Sequence, residues 1–360
     1  MKEKKRILFV LPSLVPGGAE RIISFIAQNL DKEKFLSTLL IIGKQKDTAY
    51  DVKDVETIYL EKDRVLQGVL PMFHYIRKNK PELVVTAISH LNSVAGILAI
   101  FFPKTKFVAR EVNVLSVVKQ FKTKKRNTTL LGLAGKIGYR FIDVFVCQSK
   151  DMRNDFMKRN NIPGEKVRLI NNPITDGFEL RERPVHKTGK LRFITVASLK
   201  KQKGHSRILK ALSKFNASFT YTIVGNGAEL ETVMKSINEY GLQNRVTHVP
   251  FTSEVARYLA DHDVFLQGSY VEGFPNCLLE SCSVGTPVIA FDAPGGLDEI
   301  IEEGVNGFVA KDEEGFVALL QKCREGYVWD SRKVSEAVTS KFSKEKIIHE
   351  YENLFLEVLE

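Results

Sequence analysis

Stretches rich in Val, Ile and Phe alternate along the chain with longer stretches in which apolar residues recur every three to four positions. This alternation is typical of βαβ units, and the continuous apolarity of the strand-like stretches predicts parallel strands covered on both faces. The strands predicted in the first half are Ile7–Leu11, Leu36–Ile42, Leu83–Ile88, Lys106–Ala109, Val144–Cys147 and Val167–Ile170.

The pattern restarts after Asn171-Asn172-Pro173 and the charged stretch 179–190, which predicts a second doubly wound unit. Its predicted strands are Leu191–Ala197, Phe219–Val224, Val246–Val249, Val264–Gln267 and Pro287–Ala290, and its predicted helices are His205–Phe215, Ala228–Tyr240 and Asn276–Val284. We therefore expect domains at 1–175 and 176–343. A last helix within 344–360 carries an apolar stripe, for which the first domain is one docking surface.

Composition narrows the class of protein. With 44% hydrophobic and 27% charged residues, the 360-residue chain is typical of globular proteins. Its longest apolar run, 94–102, is less than half of the roughly 20 residues that a membrane span needs. Four scattered cysteines form no CxxC pair, which indicates a reducing compartment and excludes a zinc ribbon. These features favour a cytoplasmic protein.

Charge is distributed unevenly. Residues 1–180 hold 31 Lys and Arg against 18 Asp and Glu, a net charge of +13, whereas residues 181–360 hold 22 against 25, a net charge of −3. A basic half beside a nearly neutral half indicates two domains with different partners, one of them an anionic surface or substrate.

Four loops carry candidate chemistry. Gly17-Gly18 follows the first strand, Ser198 to Gly204 and Gly225-Asn226-Gly227 follow two later strands, and the segment 268–280 leads from a strand into a helix. Glycines let backbone N–H groups approach a ligand, and a helix N-terminus attracts anions. The paired glycines are not the G-x-G-x-x-G dinucleotide fingerprint. Because parallel strands end at one edge of a sheet, the three later loops predict one ligand site.

The chain resembles the GT4-type retaining glycosyltransferases (glycosyl transferases group 1). The matching residues, in the family's order and spacing, are Gly17-Gly18-Ala19-Glu20-Arg21, Asn172-Pro173, Lys203-Gly204, Gly225-Asn226-Gly227, Glu272 with Glu280, Gly285-Thr-Pro-Val288 and Asn306-Gly307-Phe308-Val309. The resemblance implies the GT-B fold, in which two Rossmann-like doubly wound α/β domains face each other across a cleft. It also implies a nucleotide-sugar in the second domain and an acceptor in the first.

The resemblance assigns roles residue by residue. Glu280 would hold the ribose hydroxyls, Glu272 the transferring sugar, and Lys203 the diphosphate as its bond to the sugar breaks. Retention without an obvious nucleophile implies front-face attack through an oxocarbenium-like state. The implied catalytic residues are Glu272, Lys203 and Glu111; the implied donor-binding residues are Gly18, Ser198, Lys203, Gly225, Gly273, Phe274, Pro275, Asn276, Cys277 and Glu280; Gly17, Asn113 and His90 would lie on the acceptor side.

Two positions depart from the family pattern. Ala197-Ser198-Leu199 stands where relatives have Gly-Arg-Leu, so the arginine of the usual Arg/Lys pair is absent, and Lys200 or Lys201 is a flexible substitute. Val112, in Glu111-Val112-Asn113, replaces a polar residue. Asp261-His262-Asp263 spells a DxD, but it precedes a predicted strand at the opposite edge of the sheet, so we expect no essential metal and no cofactor.

A basic stretch in the first half suggests a further partner. Residues 114–126 mix apolar residues with five cations and no acid, and Lys136 and Arg140 follow. Within 114–140 such a segment could rest on anionic lipid or be a solvated loop and helix. No recognition motif supports nucleic-acid binding.

Together these features predict transfer of a hexose or N-acetylhexosamine from a nucleotide-diphospho-sugar, with UDP expected, to a lipid-linked or growing glycan. The expected setting is capsule or O-antigen synthesis at the inner face of the cell membrane. The alternatives are a nucleotide-sugar epimerase of the same fold and a catalytically silent binding partner.

Overall fold

The computed structural model describes residues 3–121, 137–181 and 189–360. The chain forms two compact units. The first consists of Met1–Leu115, Lys122–Pro173 and Lys344–Glu360, and the second of Ser116–Phe121 and Ile174–Ser343. The boundary at 173/174 lies next to the expected one at 175/176. The expected first-domain range also includes residues 116–121, which the structure groups with the second unit.

The first unit contains a seven-stranded parallel sheet with the strand order β3-β2-β1-β4-β5-β6-β7. Its strands are β1 Lys5–Leu11, β2 Phe35–Ile41, β3 Glu56–Tyr59, β4 Leu83–Ala87, β5 Lys106–Arg110, β6 Val144–Cys147 and β7 Val167–Leu169. The helices before the crossing at 173/174 are α1 Gly18–Asn29, α2 Val65–Asn79, α3 Ser89–Ala99, α4 Leu115–Val118 and α5 Lys150–Asn160, and of these only α4 lies mostly in the second unit.

The second unit contains a six-stranded parallel sheet with the order β10-β9-β8-β11-β12-β13. Its strands are β8 Leu191–Val196, β9 Phe219–Val224, β10 Val246–Val249, β11 Val264–Gln267, β12 Val288–Phe291 and β13 Gly307–Ala310. Its helices are α6 His205–Ser213, α7 Leu230–Glu239, α8 Val255–Ala260, α9 Asn276–Ser283, α10 Leu297–Ile300, α11 Glu313–Arg324 and α12 Ser331–Phe342. Single 3₁₀ turns lie at Gln45–Asp47, Lys119–Phe121, Tyr139–Phe141, Gly164–Lys166 and Lys201–Lys203.

The prediction of two parallel doubly wound sheets is confirmed, and the predicted strands agree with the observed ones within two residues. The apolar pattern of the sequence does not reveal β3 and β13, which are both four-residue edge strands. Strand β3 is only half-buried, so it lacks the apolar run of a central strand. Strand β13 begins at Gly307, where a Cβ would lie 2.4 Å from the Val288 carbonyl oxygen, so close strand pairing requires glycine there.

The C-terminal helix α13 Lys344–Leu359 packs in the core of the first unit. The ring of Phe355 lies edge-on to those of Phe9 and Phe35, with centroid distances of 6.1 and 6.4 Å. The Glu352 carboxylate accepts a 2.7 Å hydrogen bond from the backbone N–H of Asp31. The apolar stripe read in the sequence therefore faces β1 and β2, and the chain returns to the first unit after forming the second.

Each sheet has one point at which the strand order reverses, between β1 and β4 and between β8 and β11. Loops leaving the carboxyl ends of these strands diverge there, which is where open α/β sheets bind ligands. Among the described residues, no helix is long and apolar enough to cross a membrane.

Candidate functional site

The reversal point of the second sheet brings Lys203 and Glu272 together. Lys203 ends the 3₁₀ turn that follows β8, and Glu272 lies in the loop that follows β11. The Lys203 Nζ lies 2.7 and 2.8 Å from the two carboxylate oxygens of Glu272. Glu272 also accepts a hydrogen bond from the Ser269 hydroxyl. Residues 69 positions apart thus form one charged pair at the predicted ligand edge.

This ion pair is largely removed from solvent. The Lys203 side chain is 19% exposed and that of Glu272 is 8% exposed. Burial by itself lowers the pKa of Lys203, but the charge of Glu272 and the hydrogen bonds to it outweigh burial and raise the pKa above its ordinary value. Lys203 therefore keeps its charge at neutral pH in the free protein.

Cys277 and Glu280 bring helix α9 to the same cluster. Burial raises the pKa of the Cys277 thiol to about 12, with a further increase from Glu272 and Glu280 and an opposing effect of Lys203. All three charges are therefore close enough to act on one sulfur atom. Because this thiol stays protonated near pH 7, it is a poor nucleophile. Glu280 is itself buried, with 5% of its surface exposed.

Helix α9 begins at this cluster. Pro275 is its N-cap residue, and no side chain caps the helix there. Without a side-chain cap, the first turn presents the positive end of the helix dipole, which favours an anion, although the Leu278 N–H already donates to the Pro275 carbonyl at 3.0 Å. Gly273 and Pro275 are buried, and the Phe274 ring packs into the core 5.4 Å from Phe342. The Phe274 side chain thus anchors the loop in the core. Around Phe274 it is therefore the backbone that is available to contact a ligand.

Glycines allow the loops at this edge to touch through their backbones. At Gly204, with φ +61°, a Cβ would lie 1.8 Å from the Gly268 carbonyl oxygen. At Gly225, with φ +141°, it would lie 2.1 Å from the Ala197 carbonyl oxygen. The predicted residue Ser198 lies between these contacts, and its carbonyl accepts from Lys200 N–H at 2.9 Å. The motifs read separately in the sequence therefore form one continuous backbone cradle.

Arg207 is a residue that the sequence analysis missed. From the first turn of α6 its guanidinium donates to the carbonyls of Gly268 and Ser269. It also stacks over the rings of Tyr270 and Phe291, at 4.1 and 4.2 Å from their centroids. Burial lowers the pKa of Arg207 to about 10. Its role is to hold the loop that carries Glu272, and no sequence motif marks an arginine that binds carbonyl groups.

Two buried polar atoms at this edge have no hydrogen-bond partner among the described residues. They are Nδ1 of His205 and Nε2 of Gln267. The other ring nitrogen of His205 lies 3.3 Å from the Ser198 carbonyl oxygen, and Gln267 Oε1 accepts from the Cys277 thiol at 3.7 Å. Burial lowers the pKa of His205 to about 4, so the imidazole is neutral at pH 7.

In the first unit, Glu111 lies within a buried polar network. It follows β5 and accepts hydrogen bonds from Ser89 Oγ at 2.8 Å and Asn92 Nδ2 at 3.1 Å. Burial raises the pKa of Glu111, and these two hydrogen bonds oppose the increase. Ile88, just before Ser89, has φ +77°, an unfavourable conformation for a β-branched residue. The strained turn fixes Ser89 against the carboxylate.

The other first-unit candidates lie on neighbouring loops. Gly18 begins α1, and Gly17 before it donates its N–H to the Tyr50 hydroxyl at 2.7 Å, so that amide is already engaged. His90 lies in the first turn of α3, and Asn113 follows Glu111 in the loop after β5. The structure places these residues at the carboxyl ends of β1, β4 and β5. Most of the basic stretch read at 114–140 lies outside the described residues.

The DxD tripeptide has a structural role at Asp263. Its carboxylate binds Arg192 through the backbone N–H at 2.8 Å and through Nη2 at 2.7 Å. It lies just before β11, at the edge of the sheet opposite Glu272. Within 3–121, 137–181 and 189–360, no cluster of three or more His, Cys, Asp or Glu side chains could hold a metal ion.

Two parallel doubly wound units, with a charged pair at the reversal point of the second, define an α/β protein of the GT-B fold class. Among solved structures, HepE of Anabaena in complex with UDP-glucose has a TM-score of 0.81 at 19% identity, covering 98% of this chain and 99% of that one. A glycosyltransferase from Rickettsia africae has a TM-score of 0.81 at 20% identity, covering 99% of both chains. These similarities confirm the predicted GT-B fold.

Residues 176–333, most of the second unit, match the family model described as "Glycosyl transferases group 1". The O-antigen biosynthesis glycosyltransferase WclY of Escherichia coli is 23% identical over 98% of this chain and 100% of its own length. An N-acetylgalactosaminyltransferase of Campylobacter jejuni, named for a diphospho-undecaprenol substrate, is 22% identical over 83% of this chain and 84% of its own. The family resemblance is thereby confirmed.

Proposed function

We propose that this protein is a retaining, metal-independent glycosyltransferase of the GT4 type. It would transfer a hexose or N-acetylhexosamine from UDP-sugar to a lipid-diphosphate-linked glycan during surface polysaccharide synthesis. The observation that carries the proposal is the buried Lys203–Glu272 pair where α9 begins. It supplies a cation and a carboxylate at an edge with an uncapped helix, as a diphosphate joined to a sugar requires.

The cation acts on the leaving group. As the bond between sugar and diphosphate breaks, negative charge grows on the diphosphate, and a charged Lys203 Nζ in this enclosed site stabilises it. To meet the diphosphate, Lys203 exchanges at least one of its contacts with Glu272. The freed carboxylate can then accept hydrogen bonds from sugar hydroxyls, while Ser269 keeps it oriented. In this proposal, donor binding itself breaks contacts between Lys203 and Glu272 and so frees both groups for the reaction.

Glu280 is placed to bind the nucleoside. It lies one turn inside α9 and is buried close enough to Cys277 to affect its pKa. A carboxylate can accept hydrogen bonds from both hydroxyls of a ribose, whereas it repels a phosphate. The proposed order along α9 is therefore diphosphate at the first turn and ribose at Glu280.

The acceptor would be bound by the first unit. Its buried Glu111 is fixed by Ser89 and Asn92, and burial raises its pKa, so it takes up a proton more readily than an exposed carboxylate and is our candidate for proton exchange with the acceptor hydroxyl. Relatives named for O-antigen synthesis and for a diphospho-undecaprenol substrate support a lipid-diphosphate-linked acceptor here. The proposal places the enzyme at the cytoplasmic side of the membrane where such acceptors are used.

A two-stage assay tests the proposed function. Melting temperatures with a panel of nucleotide-sugars identify the donor, because a ligand that binds the folded state raises the melting temperature. The selected donor is then incubated alone and with a diphosphate-linked acceptor. We expect a new glycan only with the acceptor, and the anomeric configuration of the donor retained in the product. Conversion of the sugar without acceptor would indicate an epimerase, and tight donor binding without turnover would indicate a silent binding partner.

A further inference from the structure

A tyrosine hydroxyl holds the backbone of Gly17, the residue just before α1. The Tyr50 hydroxyl accepts a hydrogen bond from the Gly17 N–H at 2.7 Å and donates one to the Gly17 carbonyl oxygen at 2.9 Å. The two residues are 33 positions apart in the chain. A single side-chain oxygen therefore engages both backbone polar groups of one residue.

The conformation of Gly17 makes this double contact possible. With φ −159° and ψ 147°, Gly17 is extended, and in extended backbone the N–H and C=O of one residue point to the same side. The Tyr50 hydroxyl thus takes the place that a partner strand has in an antiparallel pair. The Gly17 carbonyl also accepts from the Arg21 N–H at 3.1 Å, which is the first hydrogen bond of α1. Fixing Gly17 therefore fixes where α1 begins.

Gly17 has no room for a side chain. A Cβ there would lie 2.2 Å from Oε2 of Glu20, whose carboxylate lies against Gly17. Because φ at Gly17 is one that any residue adopts, it is the lack of space that favours glycine at this position. Gly17 is therefore in contact with two polar side chains, those of Tyr50 and Glu20.

The segment that carries Tyr50 is itself fixed. The Ala49 N–H donates to the Leu14 carbonyl at 2.8 Å, which ties this segment to the loop between β1 and α1. The Tyr50 ring packs against the apolar core of the first unit. Because its ring is anchored in this way, the Tyr50 hydroxyl is a fixed point against which Gly17 is held.

The hydrogen bond to the Gly17 carbonyl also determines the direction of the next N–H. The Gly17 carbonyl and the Gly18 N–H belong to one planar trans peptide group, in which the two bonds point in opposite directions. The Gly18 N–H therefore points away from Tyr50. Gly18 is exposed, so the Tyr50 hydroxyl sets the direction of an N–H in an exposed residue.

We infer that Tyr50 is a positioning residue for the proposed sugar transfer: its hydroxyl fixes Gly17 and so sets the direction in which the Gly18 N–H meets the diphosphate of the donor. This inference rests on the proposed function, in which Gly18 binds the donor. An N–H held in place before the reaction stabilises the charge that grows on the leaving group without having to reorganise. Its loss should therefore lower kcat more than it raises the KM for the donor.

Initial rates of Tyr50→Phe test the inference, because this variant loses the hydroxyl and keeps the ring. We expect kcat to fall about tenfold and the KM for the donor to change by less than about threefold. Tyr59→Phe is the matched control. The Tyr59 hydroxyl accepts from Thr48 Oγ1 at 2.9 Å, in the same segment, and the Tyr59 ring packs against the same core. The control should keep the wild-type kcat.

Hydrogen exchange of the free protein provides a readout that does not require the reaction. Peptides that cover residues 12–20 should exchange faster in Tyr50→Phe than in the wild type, because the Gly17 N–H has lost its acceptor. Tyr59→Phe should leave this exchange unchanged. A circular dichroism melt of each variant checks that it is folded.

Three outcomes would overturn the inference. Unchanged exchange in Tyr50→Phe would show that the hydroxyl does not hold Gly17. Faster exchange with the wild-type kcat would show that this contact has no part in the reaction, and so would a lower melting temperature with the wild-type kcat. Absence of sugar transfer in the wild type would instead overturn the proposed function, and it is distinguishable because the wild type and both variants would then be equally inactive.

Discussion

Lys203 Nζ contacts both carboxylate oxygens of Glu272, at 2.7 and 2.8 Å, across the point where the strand order of the second sheet reverses. The two residues belong to loops from adjacent strands, β8 and β11, that are separated by 69 positions in the chain. In the free protein each of these two buried charges compensates the other, and both lie where a ligand would enter. Its removal should therefore affect stability and activity in different ways.

Replacing one partner should harm both properties. Lys203→Met leaves the Glu272 carboxylate buried without its cation, and we expect the free energy of unfolding to fall by about 3 kcal/mol. The double variant Lys203→Met, Glu272→Gln should recover most of that loss, because no buried charge remains. Both variants should lower kcat by about 10²–10³-fold, since neither stabilises the leaving group. Denaturant titration and initial rates measure the two effects.

A double variant that is as unstable as the single one would contradict the electrostatic account of the pair. Near-normal turnover of Lys203→Met would contradict its assignment to the leaving group.

Glu280→Gln should weaken donor binding more than it slows the chemical step. Losing the charge on a carboxylate that holds a ribose diol costs about 1.5–3 kcal/mol, or roughly 10–150-fold in affinity. Calorimetric titration with UDP and with the full donor measures the change. An unaltered UDP affinity, in a variant whose melting temperature is also unaltered, would remove Glu280 from the nucleoside site.

Gly204→Ala should be strongly destabilising. The added Cβ meets the Gly268 carbonyl oxygen at 1.8 Å, so the loops after β8 and β11 must separate. Gly241→Ala is a matched control, because Gly241 has nearly the same φ, +66° against +61°, and nothing lies within 4 Å of its Cβ position. We expect the control to lose about 1 kcal/mol from backbone strain and Gly204→Ala to lose about 3 kcal/mol or more. Equal losses of stability in the two variants would show that the loops after β8 and β11 can separate at no cost in free energy.

His205 should make stability depend on pH below neutrality. Burial lowers its pKa from 6.5 to about 4, so between these values the unfolded chain binds a proton that the folded chain does not. Stability must therefore fall as pH decreases through this window, by about 3 kcal/mol in total. His205→Asn should flatten the slope of unfolding free energy between pH 7 and pH 4. The pKa of His262 is also lowered by burial, so part of the slope will remain. An unchanged slope would mean that His205 takes up its proton at the same pH in the folded and in the unfolded protein.

Removing divalent cations should leave transfer unchanged. In the proposed mechanism Lys203 and the first turn of α9 would supply the positive charge at the diphosphate, and Asp263 of the DxD tripeptide binds Arg192. Initial rates after EDTA treatment and desalting should equal those with added Mg²⁺ or Mn²⁺. A loss that Mg²⁺ restores would assign the diphosphate a metal partner.

The sequence alone predicted the parts of this protein that depend on local pattern. Apolar runs fixed the central strands because both faces of a parallel strand are buried. Lys203-Gly204, Gly225 and Glu272 each follow a predicted strand. The sequence therefore placed them at one edge of the second sheet, because the carboxyl ends of parallel strands lie on the same side. Strand β3 escaped detection because it is only half-buried, and β13 because its four residues begin with a glycine.

Contacts between distant residues were decided by the tertiary structure. Arg110 ends β5 with a guanidinium that is almost wholly buried, and it binds Tyr351 Oη at 3.2 Å and Asn172, residues 241 and 62 positions away. Arg207 holds the loop carbonyls beside Glu272 in a similar way. Neither contact has a sequence signature, because a guanidinium that satisfies carbonyl, amide or hydroxyl oxygens can be supplied by any suitably placed arginine. Local periodicity sets which elements form, whereas long-range packing sets which polar groups meet.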